Sequence, residues 1–197
     1  WHKEPEVGNV PLICDASSDI LHKKIDIKKY GLVYAGAQKN MGPAGITLVI
    51  VKKDLLERSQ DSLHTMLNYK THVENDSLYN TPTTFAIYII MLVTRWLLKN
   101  GGLNKMYEIN KHKADLLYKC IDESGGYYKG HAEKDSRSLM NVTFNLATAD
   151  LEKKLIDEAT KAGFNGLKGH RSVGGLRASI YNAFPTKGVE DLVSFMK

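Results

Sequence analysis

Tyr34-Ala35-Gly36-Ala37-Gln38-Lys39-Asn40-Met41-Gly42-Pro43-Ala44-Gly45 is the stretch from which the fold is best read. An apolar strand over residues 32–35 runs out into small side chains, presents one lysine, and turns at once into a further strand over residues 45–51. Glycine and alanine at such a strand end let another group approach the backbone closely. Upstream, residues 10–14 read as a buried strand that stops at Asp15-Ala16-Ser17-Ser18. All three runs are β-branched and continuous rather than alternating. That is the pattern of strands covered on both faces in an α/β layer.

Working outward, residues 52–80 are polar and irregular and read as a surface excursion. Asn80-Thr81-Pro82 then opens a helix over residues 82–99, with Thr81 as N-cap and Pro82 in the first helical position. This helix is apolar nearly all round (Phe85, Ile87, Ile89, Ile90, Leu92, Val93, Trp96, Leu97), so it is expected to be buried on most sides. Gly101-Gly102 ends it and marks a domain boundary, giving domains of residues 1–100 and 101–197. Beyond it, Asn104 caps a helix with the stripe Met106, Ile109, Leu116, Leu117, Cys120 and Ile121. Met140, Val142, Phe144 and Leu146 alternate as a half-buried strand. A helix over residues 149–162 stops at Gly163. A short strand near 166–168, a glycine-rich turn, a strand over 176–181 and a last helix from Thr186 complete a small α+β domain.

Composition sets the outer limits. The chain has 197 residues, 43% hydrophobic and 25% charged, which is a folded protein of one large or two small domains. Its two cysteines, Cys14 and Cys120, exclude a disulfide scaffold and read as reduced thiols of a cytosol-like, cytoplasmic compartment. The net charge of +5 is spread without a dense Lys/Arg run, so no nucleic-acid partner is expected. The most apolar stretch, residues 85–93, is shorter than the ~20 residues that cross a bilayer, so no membrane partner is expected. The beginning, Trp1-His2-Lys3-Glu4-Pro5, has neither an initiator Met nor a signal pattern and suggests a chain cut from something longer.

Three groups of residues, with Asn80-Thr81 as a weaker fourth, carry the candidate chemistry. A lysine beside a buried strand end, as Lys39 is read to be, is poorly solvated, which favours the neutral, nucleophilic amine. A surface lysine on a glycine-rich hairpin is the plainer alternative. Asp15 lies at the end of a strand, where α/β folds gather their ligands, although an aspartate there also serves as a cap or turn former. Together, a lysine and a carboxylate at neighbouring strand ends meet the needs of pyridoxal phosphate (PLP): an amine for the Schiff base and an acid for the pyridine nitrogen. Gly169-His170-Arg171-Ser172-Val173-Gly174-Gly175-Leu176-Arg177 is the third group, with arginine forks and turn N–H groups that suit carboxylate or phosphate. A solvated basic loop is the alternative for it. Asn80-Thr81 at a helix start suits phosphate or simple capping. No metal site is read.

The Tyr34–Gly45 segment, Leu78-Tyr79-Asn80-Thr81-Pro82, and Lys168-Gly169-His170-Arg171-Ser172-Val173-Gly174-Gly175-Leu176-Arg177-Ala178-Ser179 closely resemble the phosphoserine aminotransferases, class V aminotransferases of PLP fold type I. The resemblance runs the length of the chain. It implies the end of a large PLP-binding domain, with a mostly parallel sheet and helices, followed by a small α+β domain. Lys39 would then form the Schiff base and move the proton between Cα and the cofactor. Asp15 would pair with the pyridinium nitrogen, and Gln38 would contact the cofactor phosphate. Asn80 and Thr81 would reach the phosphate of the neighbouring subunit in a homodimer with shared active sites. Arg177 would bind the substrate α-carboxylate, and His170 and Arg171 the substrate phosphate or the side-chain carboxylate of glutamate. The implied reaction is transamination between glutamate and a phosphorylated 2-oxo acid, 3-phosphohydroxypyruvate, in serine biosynthesis.

The family's polypeptide is about twice as long, and the resemblance is to its C-terminal half. A poorly active, incomplete portion is therefore expected, with sheet edges left open. Two rivals stand beside this reading. A cysteine desulfurase requires an available nucleophilic thiol, whereas Cys14 is read inside an apolar strand and Cys120 on a helix's apolar stripe. A non-catalytic fragment serving dimerisation or folding would keep the lysine motif as inheritance.

Overall fold

The computed structural model describes residues 4–197, so the Trp1-His2-Lys3 start lies outside the described residues. Two compact units divide the chain, one of Glu6–Asn100 and one built on Gly101–Lys197.

In the first unit, β1 (Ile13–Asp15), β2 (Leu32–Gly36) and β3 (Thr47–Val51) form one sheet in that order, with α1 (Lys53–Glu57), α2 (Tyr69–Glu74) and α3 (Thr84–Lys99). β1 runs parallel to β2, with Asp15 opposite Tyr34, and β2 runs antiparallel to β3, with Gly36 opposite Thr47. Only the central strand is enclosed: Leu32, Val33 and Ala35 are buried, whereas Ile13 on β1 and Leu48 on β3 are exposed. The expectation of strands covered on both faces therefore holds for β2 alone, because in a three-stranded sheet the other two are edges. The first strand also starts later than its apolar run suggests, and Val10 is 69% exposed.

The core of this unit collects Ala16, Ile20, Val33, Ala35, Ala37 and Met41, with Ile90 of α3 packed against it. α3 comes close to the lysine turn because residue 42 is glycine; a Cβ there would lie 3.0 Å from Ile90 Cγ1. The helix starts at Thr84 with Thr83 as its N-cap residue, not at Pro82 after Thr81. The reason is local: the Pro82 carbonyl accepts from Thr84 N–H at 2.9 Å, and the first helical bond runs from Ile87 N–H to Thr83 at 3.1 Å. Burial also departs from expectation. Ala86 and Leu97 are the buried side chains of α3, while Phe85, Tyr88, Leu92, Trp96 and Leu98 are exposed. The polar excursion holds α2, whose first turn is capped by Asn68 Oδ1 accepting from Lys70 N–H at 3.0 Å.

The second unit opens with α4 (Gly102–Asp122), which begins two residues before the expected Asn104 cap, directly after Gly101 at φ +94°. β4 (Lys129–Gly130), β5 (Asn141–Asn145) and β6 (Leu176–Ser179) make an antiparallel sheet in that order, with α5 (Ala149–Lys161) and α6 (Thr186–Met196). The strand expected near residues 166–168 is reduced to a single bridge between Lys168 and Leu176. Val142 and Phe144 point inward from β5, Leu176 and Ala178 from β6, and Val189, Leu192 and Met196 close the core from α6. Fully burying a side chain such as Phe144, which is 1% exposed, stabilises by about 1.5–3 kcal/mol. α5 ends at Gly163, whose φ of +93° favours glycine. Among the described residues no helix is long and apolar enough to cross a membrane, and no group of three metal-ligating side chains is found.

Candidate functional site

Two loops of the first unit meet at one end of its sheet. The chain leaving β1 carries Asp15, Ser17 and Ser18, and the turn leaving β2 carries Gln38, Lys39 and Asn40. Parallel pairing puts Asp15 beside Tyr34, so both loops leave the same edge. The Ala16 N–H donates to the Tyr34 carbonyl at 2.8 Å, and Gly36 N–H donates to Ser17 Oγ at 3.0 Å, which bind the loops together. Asp15 Oδ1 accepts from Ser17 N–H at 2.9 Å. Hydrogen bonds from the Ser17 hydroxyl and amide, then the Tyr34 hydroxyl and the Lys39 charge, hold the Asp15 carboxyl below the usual carboxylate range. The same contact raises the Tyr34 phenol.

Lys39 Nζ donates to Ser18 Oγ at 2.8 Å. Its side chain is exposed, which corrects the expectation of a poorly solvated amine. The turn that carries it links antiparallel β2 and β3, and α3 approaches it at Gly42. Gln38 is exposed too, and folds back over the backbone: a Cβ at Gly36 would sit 2.5 Å from Gln38 Oε1. Asn80 and Thr81 are exposed and bonded locally, with Asn80 Nδ2 donating to the Thr81 carbonyl at 3.1 Å. Neither caps α3. Of the sequence-derived candidates in this unit, Asp15, Lys39 and Gln38 share one corner of the sheet.

The second unit holds the other three. Residues 169–175 form a tight loop in which Gly169 N–H donates to Gly175 at 2.8 Å, and Val173 and Gly174 N–H groups donate to the His170 carbonyl. A Cβ at Gly169 would fall 2.0 Å from the Gly174 carbonyl oxygen, so only glycine fits there. His170 Nδ1 lies 3.3 Å from Ser172 N and 2.7 Å from Ser172 Oγ, within the loop's own hydrogen bonding. His170 and Arg171 are exposed along a 580 Å³ groove whose wall also includes Lys153, Lys168, Glu152 and Asp157. Arg177 lies opposite Thr143 on the sheet face away from Leu176 and Ala178. Its Nε is buried without a hydrogen-bond partner, an arrangement that an anion would complete.

Sequence reasoning missed the buried polar side chains, Asn40 and Lys113 among them. Asn40 is 6% exposed and donates to the Ile20 carbonyl at 3.0 Å. Lys113 is wholly buried in the second unit, donating to the carbonyls of Ile180, Tyr181 and Phe184 at 2.8–3.0 Å. Burial pushes its ammonium down to about 8. The available signal was spacing: Lys113 is seven residues after Met106 and four before Leu117, on the inward stripe. Both thiols are free, with burial raising Cys14 and Cys120 alike.

The class-V aminotransferase family model matches residues 4–192. The chain belongs to that family. It is 56% identical over 196 residues to a phosphoserine aminotransferase of Lysinibacillus sphaericus, covering all of this chain and 54% of that relative. The solved phosphoserine aminotransferase of Bacillus circulans subsp. alkalophilus superposes with a TM-score of 0.95 at 54% identity, over all of this chain and 54% of that one. The PLP-bound enzyme of Trichomonas vaginalis gives 0.92 at 39% identity, over all of this chain and 56% of that one. The mixed α/β fold is therefore that of the fold type I aminotransferases. The chain spans about half the length of the relatives it matches.

Proposed function

We propose that this chain is the lysine-bearing portion of a PLP-dependent phosphoserine aminotransferase, exchanging amino and oxo groups between glutamate and 3-phosphohydroxypyruvate in serine biosynthesis. The observation that carries this reading is the corner where Asp15 and Lys39 leave neighbouring strands, joined through Ser17 and Ser18. The donor set suits the cofactor: an exposed primary amine for its aldehyde and, alongside, a carboxylate kept ionised for a protonated ring nitrogen. When bound, the cofactor supplies an electron sink for the bond broken at the substrate Cα. Lys39 would hold the cofactor at its aldehyde, and its amine would move the proton at that carbon. Asp15 would keep the ring nitrogen charged, and Gln38, exposed on the turn, would hold the phosphate.

Arg177, with its unpartnered Nε, is suited to the substrate α-carboxylate, and His170 and Arg171 to a phosphate or the glutamate side chain. Asn80 and Thr81 are exposed, as side chains reaching a neighbouring subunit's cofactor phosphate in a homodimer must be. Residues 1–100 then belong to the large domain and 101–197 to the small one. The free thiols accord with the cytoplasm. They also speak against desulfurase chemistry, since burial disfavours the thiolate.

A second reading is favoured by the exposed apolar side chains of α3: this portion alone serves folding or dimerisation and turns over poorly without the rest of the family's length. Titration with PLP separates the two. Yellow absorbance that Lys39→Ala removes supports the cofactor lysine, and a chain that stays colourless at saturating PLP refutes it. Normal transaminase turnover by the 197-residue chain refutes the incomplete-portion reading.

A further inference from the structure

Asn40 follows Lys39 directly, yet it is buried while Gln38 and Lys39 are exposed. Its Nδ2 donates at 3.0 Å to the carbonyl of Ile20, on the loop that follows Asp15. The next residue, Leu21, has φ +64°, a region that branched side chains enter only where the surroundings over-determine the backbone. Ala16 and Ile20 from that loop are packed with Ala37 and Met41 from the lysine turn. A second tie, Gly36 N–H to Ser17 Oγ at 3.0 Å, joins the loops at their roots, and the Lys39–Ser18 bond lies between the two ties.

We propose that Asn40 is a positioning residue: by tying the lysine turn to the loop after Asp15, it fixes the Lys39 amine relative to the Asp15 carboxylate. Its relevance to transamination rests on Lys39 being the cofactor lysine. An exposed lysine on a hairpin turn would otherwise sample many rotamers, and an amine that must meet both an aldehyde and a substrate proton gains from a fixed base. Asn40 never touches the reacting atoms; it acts through the turn.

The test uses the full 197-residue chain without cofactor. Asn40→Leu keeps size and neutrality but removes the donor, and Asn40→Ala removes the side chain without risk of a clash. Amide exchange over residues 16–22 is expected to speed up about fivefold, the loss of one net hydrogen bond, with Thr47–Val51 unchanged. Labelling of Lys39 by an amine-reactive anhydride, relative to Lys52, is expected to rise by a similar factor, about fivefold, because the Ser18 contact loosens. Ser18→Ala should raise that ratio equally, and the Asn40→Leu/Ser18→Ala double variant should raise it no further. A lowered melting temperature with faster exchange throughout Glu6–Asn100 and an unchanged Lys39 to Lys52 ratio would overturn the proposal, as would unchanged exchange over residues 16–22. PLP absorbance is read separately. If wild-type chain stays colourless while the loop and labelling effects hold, the cofactor reading fails and the Asn40 tie stands.

Discussion

The two units solve the burial problem to different extents. Among the described residues, seventeen large apolar side chains of Glu6–Asn100 are exposed, from Val10 to Leu98, against four in Gly101–Lys197. Their longest helices show why. α4 keeps its apolar residues on one stripe, with Met106, Ala114, Leu117, Cys120 and Ile121 buried and its charged residues, Lys113 excepted, outside that stripe. α3 is apolar around most of its circumference, but among the described residues only Ala86 and Leu97 of it are buried, with Ile90 packed against the small core of the lysine turn. The second unit is thus a finished core, whereas the first carries apolar surface in excess of what it covers. That excess matches a chain spanning about half the length of its relatives.

The largest expected effect tests that contrast directly. Phe144→Ala should destabilise the second unit by about 3–5 kcal/mol, because the side chain is 1% exposed among Tyr128, Val142 and Leu176. Phe85→Ala, at 72% exposure, should change stability by less than about 0.5 kcal/mol in the 197-residue chain. Urea unfolding of both variants measures this. Equal losses would mean that α3 is covered after all, and the contrast would fall.

Lys113 gives the next effect, and its size depends on pH. Lys113→Met leaves three buried carbonyls without their donor and should cost about 2–4 kcal/mol at pH 7. Burial lowers the folded-state pKa from 10.5 to about 8. Between those values the unfolded chain binds more protons than the folded one, so this group adds stability as pH rises through the window and loses it as pH falls back to 8. Wild type should therefore gain on the methionine variant between pH 8 and 10.5, as read by denaturant midpoints across that range. A difference that is flat with pH would place the ammonium and amine on equal footing in the fold.

Legibility in the sequence follows the same divide. The alternation through Val142 and Phe144 and the glycine stop at residue 163 are local signals that tertiary context leaves intact, so β5 and α5 were readable to within a residue or two. The lysine turn was readable because its small residues are so unlike their surroundings. The exposure of Lys39 and of α3 was not readable, since apolar composition states what a segment would bury and not whether a cover is present. Asn40 escaped because a single buried polar side chain in a turn leaves no periodic trace, and Lys113 because its charge masks its place on the inward stripe; the carbonyls that each one bonds are distant in sequence. At Pro82 the rule for helix starts was sound but misapplied by two positions, because a bond between Thr84 N–H and the Pro82 carbonyl turns the chain before the helix begins.

The smallest effect concerns helix caps, where the units again differ. In α5 the Thr148 side chain accepts from Leu151 N–H at 3.3 Å, satisfying a donor that the helix itself leaves open. In α3 the cap residue Thr83 makes no such bond, and Thr81 lies outside the helix. Thr148→Ala should therefore cost about 1 kcal/mol, while Thr83→Ala and Thr81→Ala should each change stability by a few tenths at most. Differential melting of the three variants in one buffer decides the matter. If Thr81→Ala matched Thr148→Ala, the helix would begin where the sequence pattern alone puts it, and Asn80-Thr81 would owe their identity to capping rather than to a phosphate. A silent Thr81→Ala would show that the Thr81 hydroxyl does not cap α3, which is compatible with the phosphate contact proposed for it.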